Sequence, residues 1–125
     1  EVASLDAVLF VTAEYNRSIP AVLKNAIDVG SRPYGKNKWD GKPGAIISSS
    51  TGVYGGFGAN HHLRQLLVFV NIPTMQQPEA YLGDIGSCIG PSGTVELAKT
   101  KDFLRSFKTA FEQWAERIIH TKRQN

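Results

Sequence analysis

The chain has 125 residues, of which 42% are hydrophobic and 20% charged, so we expect residues 1–125 to form a single globular domain. No apolar run is long enough to span a bilayer, which argues against a membrane protein. The net charge of +3 would suit nucleic acid, but its basic residues crowd the C-terminus without interleaved aromatic side chains. That pattern favours the solvated end of a helix, so we expect no nucleic-acid partner. The single cysteine, Cys88, cannot form an internal disulfide, and the cytoplasm is the expected compartment.

The first predicted strand is Asp6 to Thr12. Its run Ala7 to Val11 is apolar without alternation, which is typical of a strand buried on both faces of a parallel sheet. Pro20 suits the first turn of a helix, and Ser18 is a plausible N-cap. The helix should reach Asp28 and stop at Gly30, with one apolar face made of Val22, Leu23, Ala26 and Ile27.

The loop between this strand and this helix, residues 13–18, is the first place to seek a ligand. Loops that leave the carboxyl ends of parallel strands and enter helices are where open α/β sheets bind their ligands. A second such loop follows the next predicted strand, Gly44 to Ile47. It begins with the small, donor-rich residues 48–52 and continues into a run of glycines that would let a ligand approach the backbone closely.

The remaining chain predicts two more helices and one more strand. Asn60 can cap a helix from His61 to about Val70, and Ile72 to Met75 should be a short third strand. Pro78 to Leu82 has the pattern of an irregular arm, followed by a Gly-rich loop. The last helix should start at Thr94, with an apolar stripe made of Leu97, Leu104, Phe107, Phe111, Trp114 and Ile118. This alternation of strands and helices predicts a doubly wound parallel sheet.

The segment EYNRSIPAVLKNAID at Glu14 to Asp28 resembles the NAD(P)H-dependent FMN reductases, the flavodoxin-like group that includes bacterial chromate and quinone reductases. The likeness continues through GKPGAIISSSTGVYGG, HHLRQLLVFV and the PEAY near Glu79. It implies an α/β, flavodoxin-like, doubly wound sheet whose N-terminal strands and phosphate-binding loop are absent from this sequence. The visible strands would then be the last three of five, with Val8 to Val11 as an unpaired apolar edge.

The resemblance also implies a function. We expect an FMN-dependent oxidoreductase that takes hydride from NADPH or NADH and passes electrons to a small-molecule acceptor such as a quinone, another electrophile or free flavin. Turn amides would bind the flavin edge, with Tyr15 as an aromatic wall. Two residues depart from the family pattern, Ala13 where proline is usual and Gly58 where arginine is frequent. The implied cofactor-binding residues are Ala13, Glu14, Tyr15, Asn16, Ser18, Ser50, Thr51 and Gly52.

Several alternatives stay open on the residues alone. Asn16 and Ser18 could be local caps of an ordinary βα turn. Since no catalytic residues are evident, a non-catalytic flavin-binding sensor or interaction module would present the same pattern. His61 and His62 point about 100° apart on a helix, and no carboxylate or thiolate completes a metal set, so a helix-start or subunit contact is favoured. Cys88 has no basic pair or CxxC partner and is interpreted as an ordinary thiol.

The last expectation is a homodimer or homotetramer. Tyr54 to Arg64 and the arm Pro78 to Leu82 would lie at a subunit contact beside the flavin, because their loops gather large amphipathic side chains. Glu79 opposite His61 is the candidate pair across that contact. The alternative is that these aromatic residues fold back over their own sheet.

Overall fold

A computed structural model describes residues 1–124 as a three-stranded parallel sheet with helices on both faces. A short 3-10 turn, Val2–Ser4, precedes the first strand. The strands are β1, Val8–Ala13; β2, Gly44–Ser49; and β3, Ala80–Leu82. The helices are α1, Ala21–Gly30; α2, Phe57–Phe69; α3, Ile85–Cys88; and α4, Ala98–Gln124. The strand order is β1-β2-β3 with parallel pairing throughout, which confirms the predicted α/β class.

Alternate residues of the central strand face two separate cores. Ile46 points to the side where α1 and α2 pack, together with Phe10 and Leu63. Its neighbours Ala45 and Ile47 point to the other side, where α4 covers them. This is the two-layered burial that a parallel sheet requires, because helices cover both of its faces. β2 is accordingly buried along nearly its whole length.

The prediction that the first strand is buried on both faces is wrong for this chain. Phe10 and Thr12 are buried, but Leu9 is 42% and Val11 67% exposed. The physical reason is that α4 packs over β2 and β3, while within residues 1–124 no helix covers the same face of β1. An apolar sequence run therefore lies in an edge strand with one covered face.

The third strand lies later than predicted. In the predicted segment Ile72 to Met75, only Thr74 forms a single bridge, to Gly44. The Pro73 carbonyl accepts from the Gly44 N–H, and the Met75 N–H donates to the Gly44 carbonyl, but proline has no N–H with which to extend a ladder. The strand forms instead at Ala80–Leu82, inside the segment predicted to be an irregular arm.

Three predicted caps or starts are also corrected. α2 begins at Phe57 behind Gly56, whose φ of 74° is left-handed, so Asn60 lies inside the helix and is not its cap. α1 follows Pro20 without a side-chain cap, and Ser18 is used elsewhere. α4 starts at Ala98 and not at Thr94.

The predicted apolar stripes are largely confirmed. Phe107 is buried and Leu104, Phe111 and Trp114 pack around it, but Leu97 precedes the helix and is exposed. In α1, Ile27 is buried while Val22 faces solvent. Within residues 1–124, no helix is both long and apolar enough to cross a membrane.

Candidate functional site

The two loops predicted to bind a ligand meet at one edge of the sheet. Ala13, the last residue of β1, pairs in register with Ser49 at the end of β2, and Ser49 pairs with Leu82 at the end of β3. Glu14 and Ser50 therefore leave the sheet side by side. Parallel pairing is what brings these loops together, since the carboxyl ends of parallel strands share one edge.

Residues Tyr15 to Ser18 form a tight turn with an unusual backbone. The Tyr15 N–H donates to the Ser18 carbonyl over 2.8 Å, and the Ser18 N–H donates back over 3.0 Å. Between them, Asn16 has φ 50° and Arg17 φ 67°, the left-handed pair of a type I′ turn. Asparagine tolerates this region, whereas a residue such as arginine loses roughly 1–2 kcal/mol there. Such strain persists only where neighbouring structure holds it, and it is frequent at binding sites.

The Glu14 side chain turns away from the exposed edge and toward α2. Its Oε2 accepts a hydrogen bond from the Ala59 N–H over 2.9 Å, and its Oε1 lies 3.8 Å from Arg17 Nη1. The side chain is only 12% exposed. A carboxylate at the first turn of a helix is favourable because the helix dipole is positive there. The carboxylate thus serves the protein's own packing.

Exposed donors remain on the turn. Tyr15 is 63% exposed, and its ring is accessible beside the turn. Within the described chain, the N–H groups of Asn16 and Arg17 donate to no protein acceptor. They are free to donate to the acceptor edge of a ligand.

The second loop offers a similar backbone surface. Ser50 Oγ donates to the Gly52 carbonyl over 2.9 Å, closing its own turn. Thr51 and Gly52 are exposed, and their N–H groups have no acceptor among residues 1–124. No atom lies within 4 Å of the point where a Cβ on Gly52 would stand, so a ligand can approach the backbone there.

Buried hydrogen bonds fix the base of this second loop. Ser48 Oγ donates to the Gly55 carbonyl over 2.8 Å, and Asn60 Nδ2 donates to Ser48 Oγ over 3.1 Å. Gly56 allows close contact, because a Cβ there would stand 2.9 Å from the Ser48 Cβ. These contacts give Asn60 a structural role in place of the predicted cap.

The structure therefore brings together all the sequence-predicted site residues at one edge, but in different roles. The exposed residues among them are Ala13, Tyr15, Asn16, Thr51 and Gly52. Ala13 ends the strand, and Ser18 Oγ lies 2.6 Å from His62 Nδ1. Sequence reasoning missed Arg17, whose guanidinium lies 5.7 Å from the centre of the Tyr54 ring. No local pattern predicts that contact, because the two residues lie in loops that follow different strands.

An aromatic cluster lies next to this edge. His61 Nε2 is 2.9 Å from the Tyr81 hydroxyl, and the rings of Phe57 and His61 are 4.2 Å apart. Within its own chain, His61 therefore pairs with Tyr81. The pair predicted between Glu79 and His61 across a subunit contact stays a prediction. Burial raises the pKa of Tyr81 to about 12; the nearby Glu79 adds to the shift and Arg64 opposes it.

The two histidines and the cysteine have other contacts within the chain. His61 and His62 contact different partners, Tyr81 and Ser18, as their angular separation on a helix predicts. In the described part of the chain, no group of three or more His, Cys, Asp or Glu side chains could hold a metal ion. Cys88 is buried, and Thr100 Oγ1 donates to its sulfur over 3.6 Å.

The chain is similar to known proteins over the segments that form this edge. Residues 1–86 match the family model described as NADPH-dependent FMN reductase. A quinone reductase from Pseudomonas putida is 58% identical over 114 residues, which are 91% of this chain and 61% of that protein. A 2-hydroxy-1,4-benzoquinone reductase from a Burkholderia species is 43% identical over 91% of this chain and 62% of its own length.

A solved structure agrees with these relatives. FerB, a flavoenzyme NAD(P)H:(acceptor) oxidoreductase from Paracoccus denitrificans, superposes with a TM-score of 0.85 at 44% identity, over 93% of this chain and 64% of FerB. The chain thus spans about three fifths of the length of the proteins it matches. The likeness confirms the flavodoxin-like fold. Since the family model covers the sheet and both loops that follow β1 and β2, this chain belongs to the NADPH-dependent FMN reductase family.

Proposed function

We propose that the full-length protein carrying this chain is an FMN-dependent oxidoreductase. It takes hydride from NADPH or NADH and passes the electrons to a quinone, another small electrophile or free flavin. The observation that carries this proposal is the meeting of two loops with unpaired backbone donors at one edge of the sheet, in a chain of this family. Bound FMN would supply the redox chemistry, while the protein supplies orientation and electrostatics.

The residues at the edge fit a flavin ring. A planar ring with carbonyl and nitrogen acceptors along one side needs N–H donors in an exposed loop and an apolar face to lie on. The N–H groups of Asn16, Arg17, Thr51 and Gly52 would provide the donors, and Tyr15 the aromatic face. Ala13, Glu14, Ser18 and Ser50 would hold these two loops in place. The chain by itself should bind FMN weakly, because the expected phosphate-binding loop has no counterpart in these residues.

Purification of the full-length protein, followed by turnover, tests the proposal. We expect a yellow protein that oxidises NADPH or NADH when a quinone is added. Tyr15→Ala should weaken FMN binding, while Tyr34→Ala, at a more exposed tyrosine beyond α1, should leave it unchanged. Bound FMN without turnover on a panel of quinones would favour the flavin-binding sensor or interaction module. A protein that binds no FMN would overturn the proposal.

We also propose that the protein is a homodimer or homotetramer and acts in the cytoplasm as a single domain. Tyr54, Phe57 and His61 remain exposed after their contacts within the chain, and aromatic residues are enriched in interface cores. Phe57→Lys should therefore shift the mass measured by light scattering toward the monomer, whereas Val29→Lys on α1 should not. A monomeric wild-type protein with FMN bound and full activity would contradict this assembly.

A further inference from the structure

The N-terminus of α2 holds the turn Tyr15 to Ser18 in its costly conformation. That turn carries two consecutive left-handed residues, Asn16 and Arg17, neither of them glycine. Its two internal hydrogen bonds join only Tyr15 and Ser18. The position of the turn relative to the sheet must therefore come from contacts with other elements.

Two contacts with α2 supply that position. Glu14 Oε2 accepts from the Ala59 N–H over 2.9 Å. Ser18 Oγ lies 2.6 Å from His62 Nδ1, one turn further along α2. Together these contacts attach both ends of the turn to one helix.

Gly58 makes this attachment possible. A Cβ at this position would stand 2.9 Å from Glu14 Oε2 and 2.9 Å from the Arg17 carbonyl oxygen. Either the turn or the helix would have to move to admit it. The lack of a side chain at Gly58 thus lets the backbone of the turn lie directly against the first turn of α2.

We propose that Glu14 is a positioning residue for the cofactor site. It acts through Ala59 and does not touch the ligand, and its contact fixes where the N–H groups of Asn16 and Arg17 point. This inference rests on the proposed function, since the ligand held by those donors is FMN. In this inference the Glu14 carboxylate and Gly58 act together: both allow α2 to contact the binding loop directly.

The first test measures FMN affinity in the full-length protein by fluorescence titration. Glu14→Ala should weaken binding by roughly tenfold or more, since tenfold is about the lower limit for losing one hydrogen bond to a charged acceptor. Glu14→Gln should stay within about twofold of wild type, because its amide oxygen still accepts from Ala59. Ile72→Val, a mild core truncation away from this edge, controls for a general loss of stability and should leave affinity unchanged.

The second test uses amide hydrogen exchange, which requires no flavin. Glu14→Ala and Gly58→Ala should both speed exchange in the peptide that covers residues 13–19, whereas Glu14→Gln and Ile72→Val should not. Unchanged exchange in the first two variants would overturn the inference. Equal losses of FMN affinity in Glu14→Gln and Glu14→Ala would also overturn it, because they would indicate direct contact between the charge and the ligand. If the wild type binds no FMN, the proposed function fails, and exchange alone decides whether the positioning contact exists.

Discussion

At the scale of single residues, the candidate site depends on backbone conformations that few side chains adopt. Asn16 and Arg17 are left-handed, and their N–H groups are exposed as a consequence of that geometry. Asparagine is among the residues best suited to this region, but arginine is not. The turn therefore combines one favourable residue and one unfavourable residue, and its flanking residues Glu14 and Ser18 contact α2.

A pair of substitutions at Asn16 separates its backbone role from its side chain. Asn16→Ala should weaken FMN binding by up to about tenfold, because alanine resists the left-handed region and the side-chain amide is lost. Asn16→Gly should lose less, since glycine adopts the same φ without cost. Titration of both full-length variants with FMN measures the difference. Wild-type affinity in Asn16→Ala would remove Asn16 from the site.

The raised pKa of Tyr81 predicts a loss of folding stability at alkaline pH. Burial raises its pKa to about 12 in the folded chain, against about 10 in an unfolded one. The folded state therefore holds the phenolic proton more tightly, and this contribution is present below pH 10 and lost as the pH rises toward 12. The absorbance of tyrosinate is followed against pH in wild type and in Tyr81→Phe. The difference between the two titration curves should be one tyrosine that titrates near the folded-state pKa. A difference centred near pH 10 would contradict the shift.

At the scale of elements, β1 is the strand with an incompletely covered surface. Within residues 1–124 it pairs with β2 along one edge and with no strand along the other. Leu9 and Val11 are exposed on the face that α4 does not reach. An exposed apolar edge strand is a template for pairing with other chains. The same element that positions the candidate site is thus the one most prone to intermolecular contact.

This predicts aggregation of the 125-residue chain expressed by itself, and its relief by a charge on the edge. Val11→Lys should lower the aggregated fraction seen by size-exclusion chromatography. Val68→Lys, at a somewhat more exposed valine on α2, should not. Both changes should alter the free energy of unfolding by no more than about 0.5 kcal/mol, as surface substitutions usually do. A wild-type chain that is monomeric and melts cooperatively would contradict the prediction.

At the scale of the whole molecule, α4 stabilises the sheet from the face opposite to α1 and α2. Phe107 is buried at the centre of this contact, against Ala45 and Ile47 of β2. The carboxyl end of β2 carries one of the two site loops. Loss of packing under β2 would therefore weaken both the fold and the site.

Phe107→Ala should lower the free energy of unfolding of the full-length protein by about 3–5 kcal/mol, the usual cost of removing a buried aromatic ring. Val22→Ala, on the exposed face of α1, should cost less than about 0.5 kcal/mol. Urea denaturation followed by tryptophan fluorescence measures both. Similar losses in the two variants would show that α4 is not the packing element described.

The parallel α/β class, the strands before both site loops and the family could all be predicted from the sequence. The strands and loops were predictable because unbroken apolar runs followed by polar loops depend only on local composition. The family was predictable because the motif around Tyr15 and Asn16 is contiguous in the sequence. A reader of the sequence could thus predict which loops form the candidate edge. The burial of Gly44 to Ile47 was predictable for the same reason.

The position of the third strand and the contacts of Glu14, Ser18 and Asn60 could not be predicted in this way, because they depend on the folded chain. Ala80–Leu82 becomes a strand because it pairs with the free edge of β2. Local strand propensity does not predict that pairing. The Glu14 carboxylate accepts a hydrogen bond from the Ala59 N–H, 45 residues away in the sequence. Asn60 donates to Ser48, 12 residues away in the sequence. These partners are chosen by the parallel register and by the close approach at Gly58. Contacts between distant segments depend on packing, and the spacing of neighbouring residues in the sequence does not predict that packing.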